Sequence, residues 1–95
     1  MIMAGHLVFR FSDRNGELGA GRVNRIAALL KKAGFGDCGA MGNALVVLQV
    51  NGAPMRAPLR IAGLVEFMVK KSVAYKPRGC ARGHACEYDA VLTDY

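Results

Sequence analysis

"FGDCGAMGNALVVLQVNG", residues 35–52, is the stretch on which the architecture of this 95-residue chain turns. Its second half reads plainly. "ALVVLQV", residues 44–50, is a run of β-branched and aliphatic side chains, apolar on both faces, which predicts a strand covered on at least one side by helices. Gly42-Asn43 just before it suits a two-residue hairpin turn. The first half, Asp37–Met41, is broken by Gly39 and alternates only weakly. Read as a strand, it closes a hairpin with residues 44–50; left out, it removes one strand from the sheet.

The flanking segments show their period more clearly. In "HLVFRFS", residues 6–12, Leu7, Phe9 and Phe11 fall on one side of an extended chain, with Val8 and Arg10 on the other. From about Leu18 to Ala33, the residues Val23, Ile26, Ala27, Leu30 and Ala33 share a helical face opposite Asn24, Arg25, Lys31 and Lys32, and Gly34 supplies the stop. Lys31 and Lys32 stand at the negative end of that helix. Beyond the loop "NGAPMRAP", Pro58 falls in the first turn of a second helix with Ile61, Leu64, Val65 and Met68 as its apolar stripe. Glu66 and Lys70 are spaced for a pair on its wet side. Pro77 disfavours helix in the residue before it, so this helix is expected to end between Lys71 and Tyr75. "KPRGCARGHAC", residues 76–86, reads as a loop, and "CEYDAVLTDY" as a last strand with Tyr88, Ala90 and Leu92 on one face.

The order strand, helix, strand, strand, helix, strand is that of a ferredoxin-like βαββαβ α+β sandwich: a four-stranded antiparallel sheet with two helices on one face. Without the strand at 37–41 the expectation becomes a three-stranded α/β sheet with the same helices. Residues 1–95 are expected to form a single domain, since the chain has room for one core. No apolar run approaches the length of a membrane span, and the N-terminus lacks a signal-peptide pattern, so the reading is of a soluble, cytoplasmic protein with no membrane partner.

Candidate chemistry is sparse. Cys80, His84 and Cys86, with Cys38 as a fourth ligand, make a small zinc-binding protein one reading, but C-x₃-H-x-C is not the spacing of a zinc knuckle and Cys38 is far away in sequence. Three cysteines without an export signal point to reduced thiols rather than a disulfide framework. Catalysis by Cys80 or Cys86 would need a rigid site with a positioned base, which a glycine-rich loop does not provide, so no enzyme, catalytic residue or cofactor is expected. "GELGAG", residues 16–21, reverses the glycine order of a dinucleotide loop and lacks the Walker lysine.

Charge carries the functional expectation. Net charge is +6, and all thirteen basic residues precede residue 83, while Glu87, Asp89 and Asp94 lie after it. Between residues 70 and 82, Lys70, Lys71, Lys76, Arg78 and Arg82 occur without an acid and with Tyr75 among them. A basic loop of this kind tracks phosphates, with Arg25, Lys31 and Lys32 extending the surface, which predicts a module for nucleic acid or a nucleoprotein assembly. A second expectation is a stoichiometric protein-binding regulator or inhibitor of the mobile-element or phage type, directed at a host nucleoprotein complex or an acidic protein surface through its sheet face or edge. Segregated charge also allows a homodimer, the acidic last strand of one copy against a basic surface of another.

Overall fold

The computed structural model describes residues 7–50, 56–80 and 86–95. They form the strand β1 (Leu7–Asp13), a two-residue strand β2 (Gly16–Glu17), helix α1 (Ala20–Lys32), strands β3 (Gly36–Met41) and β4 (Ala44–Val50), helix α2 (Ala57–Val69), and strands β5 (Ser72–Cys80) and β6 (Cys86–Thr93). The stretch 35–52 does form the hairpin: β3 pairs antiparallel with β4 around Gly42, whose φ of 62° supplies the left-handed turn conformation.

The sheet is neither four-stranded and antiparallel nor three-stranded. It is a six-stranded mixed sheet with the order β3-β4-β1-β6-β5, and β2 pairs with the end of β1. Two features overturn the ferredoxin-like expectation. Residues 72–80, split in the sequence reading between the end of a helix and a loop, form a nine-residue strand, and the last strand lies parallel to β1 rather than antiparallel. The physical cause lies at residue 70. Lys70 takes a left-handed conformation (φ 59°, ψ 44°), its N–H donating to the Glu66 carbonyl, and stops α2 at Val69. Val73 and Tyr75 then alternate with Ala74 and Lys76 as a strand pairing with β6. Pro77 is tolerated because β5 is the edge, where one side of the strand has no ladder to donate to. Arg78 is the extra residue of a bulge between Pro77 and Gly79, and Gly79 meets the distortion with φ 148°.

Register fixes which side chains share a face. Phe9 stands between Leu45 and Tyr88, and Phe11 beside Ala90; Val73 pairs with Leu92. This is the inner face. α1 contributes Val23, Ile26, Ala27 and Leu30 to the same apolar cluster, α2 contributes Ala57, Ile61, Ala62 and Val65, and the helices touch one another. The crossovers β1-α1-β3 and β4-α2-β5 leave oppositely directed strands in opposite directions, so the usual right hand puts both helices on one side. Among the described residues no helix is long and apolar enough to cross a membrane.

Phe9 is the centre of this core. It is fully buried in the central strand, its ring stacked on Phe11 (centroids 5.9 Å apart) and Tyr88 (5.0 Å), with Tyr75 at 6.3 Å. Phe9→Ala should cost about 3–5 kcal/mol in urea unfolding, whereas Val91→Thr on the outer face should stay within about 0.5 kcal/mol. Equal losses for the two would mean that the sheet faces are assigned the wrong way round.

Candidate nucleic-acid interface

The structure divides the cations into two groups. On the outer sheet face they meet acids. Arg10 Nε lies 3.4 Å from Glu87 Oε1, Arg78 Nε lies 3.6 Å from Asp89 Oδ2, and Lys76 stands in register with Asp89. Lys71, just past α2, donates to Asp94. So Lys76 and Arg78, expected on a basic loop, are strand residues in a nearly neutral neighbourhood. Arg82 and His84 lie outside the described residues.

On the helical layer the balance is different. α1 contains no acid, and the outward-facing Arg25, Lys31 and Lys32 are exposed and form no ion pair among the described residues. From α2 come Arg56 at the N-cap, Arg60, whose guanidinium lies 4.9 Å from the Phe35 ring centroid, and Lys70, whose ammonium lies 4.8 Å from that of Phe67. The acid of α2, Glu66, accepts a 2.9 Å hydrogen bond from Val73 N–H and is committed to the start of β5. A surface of this composition holds a positive potential that the sheet face lacks.

Arg56 and Arg60 are the members of this surface that the sequence reading passed over. The signal was present in "MRAPLR", residues 55–60: two cations, no acid, and a proline marking a helix start. Arg22, by contrast, is not available to an anion at the start of α1, since Nη1 is 3.1 Å from Asp13 Oδ2. Glycines 16, 19 and 21 serve β2, the N-cap and the first turn of α1.

The cysteines separate. Cys38 is the free cysteine among the described residues; it is buried, and its thiol donates to the Ala27 carbonyl at 3.4 Å. Burial, chiefly, pushes its pKa up. β3 and β6 are three strand spacings apart, about 14 Å, so Cys38 does not reach Cys86 as a ligand. Cys86, expected as a reduced thiol, is disulfide-bonded, and the backbone of Cys80 stands opposite it because β5 and β6 pair up to their ends. Among the described residues no three His, Cys, Asp or Glu side chains gather to hold a metal. A shallow depression on the outer sheet face, lined by Ala74, Tyr75, Lys76, Asp89 and Val91, has Lys76 and Asp89 as its charged groups.

With this geometry in hand, comparison of the chain with known protein families, with curated proteins and with solved structures finds no match.

Two surface carboxylates report on the ion pairing. Asp13 is held below the usual carboxylate range first by the N–H of Asn15, 2.8 Å from Oδ1, and then by Arg22; Asp94 is held down by Lys71. A depressed carboxylate adds stability above its unfolded pKa and loses it as pH falls through the folded value. In an NMR titration both should protonate below an unpaired aspartate. Arg22→Ala should raise the Asp13 midpoint only in part, since the larger cause is the backbone hydrogen bond; a complete return to the free value would show that the Asn15 contact is not formed.

Proposed function

We propose that this protein is a non-catalytic binding module that engages nucleic acid, or an assembly containing it, through the outward face of its helical layer. Arg25, Lys31 and Lys32 are the phosphate contacts, with Arg56 and Lys70 beside them. The observation that carries this reading is the contrast between α1, which bears exposed cations and no acid, and the sheet face, where cations lie against Glu87 and Asp89. Unpaired cations on a rigid helix neutralise phosphates without first breaking an internal pair, and they read charge rather than base sequence. The proposed centre of the interface thus moves from residues 76–82 to α1.

Binding to a fluorescent 30-mer should weaken about a hundredfold between about 50 and about 200 mM salt if about four phosphates are neutralised. The triple change Arg25→Glu, Lys31→Glu, Lys32→Glu should remove most of the affinity, while Lys76→Ala with Arg78→Ala should change it by less than about threefold. Retention of full affinity by the α1 variant would refute the assignment. The second reading, a protein-directed regulator, draws its support from the surface of α2.

A further inference from the structure

α2 is apolar nearly all round. Its charged residues, Arg60 and Glu66, are engaged by Phe35 and by Val73 N–H. A helix lying on a globular core ordinarily turns a polar face outward. Here the outward positions are Leu59, 64% exposed, Gly63, exposed, and Phe67, 73% exposed. They follow one another at i, i+4 and i+8, so Leu59 and Phe67 stand about 12 Å apart with the side-chain-free Gly63 midway between them.

Gly63 itself needs a reason. Glycine inside a helix is destabilising relative to alanine. Nothing in the fold asks for it: its φ is not positive, and a Cβ placed there meets no atom within 4 Å. The notch it leaves faces outward, between the two most exposed apolar side chains of the helix. Arg56 and Lys70 close the two ends, about 21 Å apart. A second copy packed about a two-fold axis on this face would set Arg56, Arg60 and Lys70, with the cations of α1, against the same set. That is like-charge repulsion, so the occupant carries the opposite charge.

We propose that the Leu59–Gly63–Phe67 face of α2 is a docking groove for an acidic amphipathic helix of a partner protein. A bulky apolar side chain of that helix seats over Gly63 between Leu59 and Phe67. Carboxylates toward its two ends meet Arg56 and Lys70. A helix is the matching shape because its ridge of side chains drops into the notch at ordinary interaxial distance, with anchors repeating at i and i+4. The groove shares Arg56 and Lys70 with the proposed phosphate surface but none of its contacts on α1, so changes on α1 or at Leu59, Gly63 and Phe67 test the two separately.

The test is a selection of displayed helical peptides, randomised on one face, against the full chain at physiological salt. Enriched peptides should pair apolar residues at i and i+4 with Asp or Glu toward both ends. The best of them, synthesised, should bind at least tenfold more weakly to Phe67→Ala and to Gly63→Ala. Gly63→Ala should at the same time raise the thermal midpoint, a combination that a merely structural glycine does not give. The charge-reversed α1 variant should bind the peptide within about threefold of wild type. Five outcomes overturn the proposal: no enrichment; enriched peptides that are not acidic; undiminished binding to Gly63→Ala; a wild-type dimer in sedimentation that Phe67→Asp dissociates; or flotation of the protein on phosphatidylglycerol vesicles that Phe67→Asp abolishes.

Discussion

The parallel pairing of β1 with β6 is the constraint from which the rest of the molecule follows. It sets Phe9 beside Tyr88 and Phe11 beside Ala90, assembling the aromatic centre of the core from the two strands farthest apart in sequence. It also displaces β5 to the edge, since the place next to β1 is taken. From there the cross-strand neighbours of β5 include the acids of β6, so Lys76 stands in register with Asp89 and Arg78 lies 3.6 Å from it. A single choice of strand direction thus decides the core, the edge and the distribution of charge.

Much of this was legible locally. The alternation in residues 7–11, the helical stripe from Val23 to Leu30 and the apolar run 44–50 each reflect burial within a single element, and the sequence period reports burial directly. The faces of β6 could be read the same way: Ala90 and Leu92 point inward, as alternation requires. What escaped is β5. Its Pro77, Gly79 and cations look like loop composition, yet an edge strand accepts all of them, because edge strands are the ones that tolerate proline and carry charge. Parallel pairing escaped as well, since no local feature of residues 86–93 specifies on which side of β1, or in which direction, that strand will lie.

The functional surface divides along the same line. Arg25, Lys31 and Lys32 could be found from helical periodicity, because a cation opposite an apolar stripe is exposed whatever the topology. The neutralisation of Arg78 could not, since Asp89 becomes its neighbour only through the β5–β6 register. The exposure of Leu59 and Phe67 follows, like that of the α1 cations, from periodicity: the stripe Ile61, Leu64, Val65 and Met68 leaves both on the far side of α2. The helical layer therefore joins two kinds of surface, one of charge on α1 and one of apolar shape on α2.

The same central pairing has a kinetic side. Arg10 and Glu87, joined across β1 and β6, are 77 positions apart, so the middle of the sheet is closed by one of its longest-range contacts. Until β6 arrives, β1 has β4 on one side and an open row of amide and carbonyl groups on the other, with Phe9 half covered. Folds completed by such distant contacts form slowly, and an unfilled central slot accepts any strand of matching pattern. At high concentration during synthesis or refolding, the nearest such strand is β6 of a neighbouring chain, so strand exchange between copies is the misfolding route built into this topology.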